Sequence, residues 1–106
     1  MELRHLRYFV AVAEEQSFTK ASEKLFIAQP PLSRQIQNLE SELGIQLFER
    51  GSRPLQLTDA GQFFYQHAVT LLAKAEEVKT MTKRIGLIET TIRMGFVGSL
   101  LYGLLS

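Results

Sequence analysis

The chain has 106 residues, 45% of them apolar, which is enough for one small domain with a modest core and an extension. It contains no cysteine, and this excludes disulfides, thiolate nucleophiles and thiolate metal sites. The net charge is only +1, and acids balance bases over residues 1–58, so overall charge gives no indication of nucleic-acid binding.

Two amphipathic helices are predicted before residue 26. The second begins after Ser17, a favourable N-cap, and its small Ala21 permits a close crossing with another helix. The apolar stripe of the first helix consists of Leu3, Leu6, Phe9, Val10 and Ala13, and that of the second consists of Phe18, Ala21 and Leu25. Together these helices can cover a third one and complete a small core.

A third helix is predicted to follow a tight turn. Pro30 and Pro31 fall in its first turn, where backbone N–H groups have no intrahelical partner, so they begin the helix without breaking it. Gly44 is the natural C′ residue, because glycine accepts the left-handed conformation. The apolar stripe consists of Leu32, Ile36, Leu39 and Leu43. Residues 27–38 contain no acid, as expected of a helix face that enters the DNA major groove.

A β-hairpin is predicted after Gly44. Residues 46–50 and 55–57 read as strands that are joined by a turn over residues 51–54. This hairpin, here called the wing, carries Arg50 and Arg53 at its tip. One interpretation is a surface hairpin with solvated arginines. Beside a candidate recognition helix, contact with DNA phosphates or the minor groove is the better prediction.

These elements resemble the winged helix-turn-helix of the LysR-type transcriptional regulators. The matching segments are LRHLRYF (3–9), SFTKA (17–21), AQPPLSRQI (28–36), LG (43–44), LFER (47–50) and LTDAG (57–61). With FFYQHA (63–68) and IRMGFVGS (92–99), the chain is similar to the muconate-responsive regulators of benzoate and catechol degradation. The resemblance implies a mainly α fold, with a winged helix-turn-helix over residues 1–58 and a long dimerisation helix over residues 59–90.

Side chains for DNA recognition are predicted on three elements. Arg34 is the leading candidate for reading guanine, and Gln29 for reading adenine beside a thymine methyl that Pro30 touches. Ser17 and Thr19 can bond to a phosphate at the start of the second helix. The full predicted set is Ser17, Thr19, Gln29, Pro30, Pro31, Ser33, Arg34, Gln37, Arg50 and Arg53.

A long helix that dimerises the protein is predicted from Thr58 onward. Thr58 can cap it, and Asp59 suits the positive end of its dipole. Its apolar residues recur at alternating steps of four and three, a heptad-like pattern that needs a partner helix. The predicted dimerisation residues are Phe64, Ala68, Leu71, Ala75, Val78 and Ile85, with Thr82 as an interruption. Its first turns, with Phe63 and Phe64, are expected to pack on the winged domain.

Residues 92–97 read as a buried strand that a Gly-Ser turn follows. By resemblance, residues 91–106 are the truncated start of an effector-binding domain, expected to be poorly ordered, and Ser99 lines the ligand site in a longer parent protein. The resemblance also implies an interrupted inverted repeat in double-stranded DNA as the target of a homodimer. For a longer parent protein, the resemblance also implies assembly into a tetramer and allows contact with RNA polymerase.

An enzyme is disfavoured, because the only histidines, His5 and His67, lie far apart and no paired carboxylates emerge from a pocket-forming region. No metal site or cofactor is predicted. A protein-interaction module on the same scaffold is the remaining alternative, but it would place apolar anchors at Gln29, Arg34 and Arg53. The sequence shows no long apolar span or signal segment, which predicts a soluble protein of the bacterial cytoplasm and nucleoid with no membrane partner.

Overall fold

The computed structural model describes the backbone of residues 1–101 and the side chains of residues 1–95. The chain forms two compact units, Met1–Ala73 and the part from Lys74 onward. The elements in chain order are α1 (Leu3–Glu15), α2 (Phe18–Leu25), α3 (Gln29–Leu43), β1 (Phe48–Glu49), β2 (Gln56–Leu57) and α4 (Asp59–Leu101). The fold is mainly α, a winged helix-turn-helix followed by a long helix, as predicted.

Local capping fixes where the helices begin and end. The Ser17 hydroxyl accepts a hydrogen bond from the Lys20 N–H at 3.1 Å, and the Thr58 hydroxyl accepts one from the Gly61 N–H at 3.0 Å. Gly44 ends α3 in the left-handed conformation, with φ of 70°. The predicted caps of α2, α3 and α4 are therefore confirmed.

The core lies where α1, α2 and α3 meet. The Phe9 ring is central to it, with ring centroids 5.3 Å from Phe48 and 5.0 Å from Phe64. Edge-on and tilted aromatic contacts of this kind add to the burial of apolar area. The largest fully buried side chains of the core are Phe9, Val12, Leu32, Ile36, Leu39, Leu47 and Phe48.

The first turns of α4 belong to this core. Ala68 is only 1% exposed, and Phe64 packs half-buried against Phe9, whereas Phe63 is exposed, contrary to prediction. The Tyr65 hydroxyl donates to Glu14 Oε2 at 2.7 Å. This hydrogen bond, burial and the Glu14 charge raise the pKa of Tyr65, so Tyr65 stays a neutral donor. The first compact unit thus extends to Ala73, beyond the predicted boundary at residue 58.

The wing is shorter than predicted and is tied to its neighbours by backbone bonds. Its strands pair antiparallel, with Phe48 opposite Leu57 and a cis Arg53-Pro54 peptide in the connection. The Leu55 N–H donates to the carbonyl of Gln16 at 3.1 Å, which links the wing to the α1–α2 turn. This hydrogen bond holds the wing beside the start of α2.

Residues 92–97 lie in α4, so the prediction of a strand there is wrong. A helix satisfies its own backbone groups, whereas a strand needs a neighbour, and the only sheet among the described residues is the two-stranded wing. The Ser99 side chain and residues 102–106 lie outside the described part. Among the residues described, no helix is long and apolar enough to cross a membrane.

The predicted dimerisation residues differ in exposure. Leu71, Val78 and Ile85 are 47%, 52% and 53% exposed on α4, and Ala75 is half-buried. Ala68, by contrast, has its side chain in the core of the first unit. Its assignment to the dimerisation stripe is therefore corrected: packing within the winged domain already uses this side chain.

Candidate nucleic-acid interface

Helix α3 buries one face and leaves the other open. Leu32, Ile36 and Leu39 are buried, which turns Arg34 and Gln37 to the exposed side. Among the remaining predicted base-reading residues, Ser33 is half-buried and Gln29, Pro30 and Pro31 are exposed. The apolar stripe therefore orients the polar face of α3 outward, as the periodicity predicted.

Thr19 and Gln29 are joined directly. The Thr19 hydroxyl donates a hydrogen bond to Gln29 Oε1 at 3.0 Å, from the first turn of α2 to the first residue of α3. Sequence reasoning assigned Thr19 to a phosphate and did not predict this bond. The bond fixes the Gln29 amide and leaves its NH₂ group as a free donor.

A groove of about 560 Å³ lies between the starts of α2 and α3 and the wing. The polar and charged residues that line it include Ser17, Thr19, Lys20, Gln29, Arg50 and Arg53. The fold thus brings together residues from three predicted elements, and it adds Lys20, which the sequence analysis did not single out. The groove combines cationic side chains with hydroxyl groups and an amide, and groups of these kinds bind the phosphates of a DNA backbone.

The cations near this groove differ in how they are paired. Within the part of the chain whose side chains are described, Lys20, Arg34 and Arg53 form no ion pair. Arg50 does form one, with Glu40, and its guanidinium carbon lies 5.8 Å from the centre of the Phe18 ring. The charge of Arg50 is therefore compensated by Glu40, whereas Arg53 has no ion-pair partner among the residues whose side chains are described.

Glu40 was missed by the sequence analysis. Its side chain points into the protein at 8% exposure, and its Oε2 accepts hydrogen bonds from the N–H groups of Leu47 at 2.7 Å and Phe48 at 3.3 Å. Its Oε1 accepts from Arg50. The available signal was the position of Glu40 one residue after Leu39, at the edge of the buried stripe of α3.

The two histidines have structural contacts. His5 Nδ1 accepts a hydrogen bond from the Glu2 N–H at 3.1 Å and so caps α1, and the His67 ring lies 4.4 Å from that of Phe63. No group of three or more potential metal-binding side chains occurs among the residues that the structure describes. The exposed groups of the groove are hydrogen-bond donors and cations, which are the groups that bind polyanions.

Comparison with protein families matches residues 3–62 to the bacterial regulatory helix-turn-helix proteins of the lysR family. The transcriptional regulator BenM of Acinetobacter baylyi is 72% identical over 105 residues, 99% of this chain and 34% of the relative. CatR of Pseudomonas putida is 51% identical over 106 residues, 99% of this chain and 36% of the relative. The chain thus spans about a third of the length of these curated relatives.

Two similar solved structures contain DNA. The complex of the BenM DNA-binding domain with benA site 1 DNA has a TM-score of 0.80 at 72% identity, over 81% of this chain and 97% of the other. The complex of the CbnR DNA-binding domain with DNA has a TM-score of 0.77 at 40% identity, over 81% of this chain and 99% of the other. Both share the winged helix-turn-helix described above.

Proposed function

The chain belongs to the LysR family of bacterial regulatory helix-turn-helix proteins, and we propose that it binds double-stranded DNA sequence-specifically as a transcriptional regulator. The observation that carries this proposal is the acid-free run of residues 27–38, most of it in α3, beside a groove with Lys20 and Arg53 unpaired among the described residues. The DNA complexes of BenM and CbnR support the same use of the fold.

The exposed face of α3 is the proposed base-reading surface. Arg34 would form bidentate hydrogen bonds to guanine, and Gln29 would read adenine while Pro30 touches a thymine methyl group. Ser33 and Gln37 lie on the same side of the helix. The burial of the opposite, apolar face supports this orientation.

The groove between α2, α3 and the wing is the proposed phosphate-binding surface. The start of α2, with the Ser17 hydroxyl and backbone N–H groups, would hold one phosphate. Arg53 would contact the flanking backbone or enter the minor groove, and Lys20 would add a further cation. Pro31, which is exposed in the first turn of α3, would belong to the DNA-facing surface as well.

Dimerisation through α4 is part of the proposal. Leu71, Val78 and Ile85 expose half of their apolar side chains on one stripe, and two copies could bury these stripes together. A pair of winged domains would then read an inverted repeat at a spacing that the helix pair sets. In this scheme residues 59–90 are the linker helix of the protein.

The parent regulator is proposed to control genes for the catabolism of aromatic compounds. Its similarity to BenM, and to a probable cat1 operon transcriptional activator of Acinetobacter lwoffii at 54% identity, supports this assignment. Residues 91–106 would begin the effector-binding domain, and Ser99 would line its ligand site. We also propose that the parent regulator assembles into a tetramer, contacts RNA polymerase and is located in the cytoplasm.

A salt titration of DNA binding tests the proposed function. We expect the 106-residue chain to bind the benA site 1 duplex on the order of 10³-fold more tightly than a shuffled duplex of equal composition. Affinity for both should fall steeply with salt. Equal affinity for the two duplexes would contradict sequence-specific recognition. Failure to bind either duplex would favour a protein-interaction module.

A further inference from the structure

Glu40 is the one acidic side chain that is buried among the residues whose side chains are described, and it lies on the recognition helix. A buried carboxylate is stable only where hydrogen bonds and an opposite charge replace its hydration. Here two backbone N–H groups of the chain that enters the wing, those of Leu47 and Phe48, and the Arg50 guanidinium provide them. All of its strong partners therefore belong to the segment that leads into the wing and along it.

This arrangement ties three elements of the proposed DNA-binding surface together. Glu40 lies in the last turn of α3, its two amide donors lead into β1, and Arg50 follows β1. Arg50 in turn lies over the Phe18 ring at the start of α2. A single carboxylate thus fixes the wing relative to both helices of the helix-turn-helix.

The ion pair also determines which wing cation is free. Glu40 compensates the Arg50 charge, whereas Arg53 has no ion-pair partner among the described residues. A compensated guanidinium attracts phosphate less than a free one does, because the nearby carboxylate opposes the approach of a second anion. The two arginines of the wing are therefore chemically unequal.

We propose that Glu40 is a positioning residue for specific DNA recognition. It holds the wing in register with the base-reading face of α3 and compensates the charge of Arg50, whose side chain is 41% exposed. The compensated Arg50 then binds the phosphates of unrelated DNA only weakly, and the wing keeps the position that specific binding requires. The inference rests on the proposed function, since it requires that this surface binds DNA.

Glu40→Gln separates these roles, because it keeps the size and one acceptor oxygen but removes the charge. We expect about a tenfold loss of affinity for the benA site 1 duplex from the misplaced wing. Affinity for the shuffled duplex should be unchanged or higher, with a salt slope larger in magnitude by up to about one unit as Arg50 becomes free. The specificity ratio should therefore fall.

Glu42→Gln is the matched control, with the same charge change on the same helix. The Glu42 carboxylate is half-exposed and pairs with the N-terminal ammonium at 2.7 Å, away from the wing. It should change binding to the two duplexes alike and leave their ratio as it is. An E40Q ratio equal to that of E42Q would overturn the proposal, whereas a wild-type chain without preference for benA site 1 would instead refute the proposed function.

Arg50→Gln keeps the test decisive if E40Q does not show a cooperative melt. It leaves the two backbone hydrogen bonds of Glu40 in place. If Arg50 positions the wing, the specificity ratio falls and the salt slope on the shuffled duplex changes by much less than one unit. A slope that decreases by about one unit with an unchanged ratio would make Arg50 a phosphate contact and contradict the inference.

Discussion

The Thr19 hydroxyl and the Gln29 amide are hydrogen-bonded at 3.0 Å, so the first turn of α2 orients a side chain at the start of the recognition helix. Adenine recognition by glutamine requires the amide oxygen and nitrogen to face one base edge together. A side chain held in this orientation before binding loses less conformational entropy when DNA arrives. If Gln29 reads a base as proposed, Thr19 would contribute to that reading by orienting the Gln29 amide.

Thr19→Val should weaken specific binding by about 0.5–1.5 kcal/mol, the ordering cost of one flexible side chain at an interface. Valine keeps the shape of threonine but cannot hold the Gln29 amide, whereas Thr19→Ser retains the hydroxyl and is the control. Fluorescence anisotropy on single-base-pair variants of benA site 1 should show relaxed preference at one base pair for T19V only. Equal profiles for T19V and T19S would show that the hydrogen bond has no role in recognition.

Arg34→Ala should cost roughly 1–3 kcal/mol on the specific duplex, because it removes a bidentate contact to guanine. Binding to the shuffled duplex should weaken much less. Arg7→Ala, which removes the same charge from the exposed side of α1, is the control and should leave the specificity ratio unchanged. Equal losses on both duplexes for R34A would reduce Arg34 to a phosphate contact.

Arg53→Ala should weaken binding to all sequences and lower the magnitude of the salt slope by about one unit. The reason is that Arg53 is an exposed wing cation without an ion-pair partner among the described residues. Titration of the shuffled duplex between low and moderate salt measures this slope. If R53A retains the wild-type slope, the tip of the wing stays in solvent in the complex.

Local rules predicted the helices and their caps, because Ser17, Gly44 and Thr58 act on backbone groups within four residues. Contacts across the fold were not predictable in this way. Glu40 meets its partners only when the chain turns back after Gly44, and the burial of Ala68 depends on where α4 crosses the core. Apolar residues that recur every three or four positions form a stripe on a helix, but this spacing does not show whether the stripe packs on the core of the same chain or on a partner chain.

The turn of the helix-turn-helix also departs from local expectation. Phe26 lies there in the left-handed conformation, with φ of 58° and 94% of its surface exposed. A bulky residue with positive φ stores backbone strain, so neither its conformation nor its exposure follows from residue preferences. On α3, in contrast, periodicity predicted the buried side correctly for Leu32, Ile36 and Leu39, whereas Leu43, at the end of the stripe, is 39% exposed.

Gly61→Ala should destabilise the winged domain by at least about 1–3 kcal/mol, as overpacking of a core does. A Cβ at Gly61 would lie 2.0 Å from the Leu47 carbonyl oxygen, and that oxygen is backbone held by the Thr58 N–H. Gly86→Ala adds the same methyl group to the same helix, where nothing lies within 4 Å, and should be neutral or stabilising by up to about 1 kcal/mol. Thermal melts by circular dichroism measure both, and an unchanged melting temperature for G61A would show that α4 can shift away from Leu47.

Replacement of Leu71 and Val78 by Asp should abolish dimerisation through α4, since it would bury unpaired charge between two exposed apolar stripes. The winged domain should remain folded, because its core reaches α4 through Phe64 and Ala68 instead. Affinity for a full inverted repeat should fall toward that for one half-site, as tethering is lost.

The control is the double substitution Ala73→Asp and Thr80→Asp, which adds the same charge to α4. Each of these exposed positions follows Leu71 or Val78 by two residues and so lies on the opposite side of the helix. The control should leave the dimer intact. Sedimentation equilibrium decides between these outcomes: a wild-type chain that stays monomeric at high concentration contradicts dimerisation by this chain, and a double mutant that still dimerises moves the interface away from this stripe.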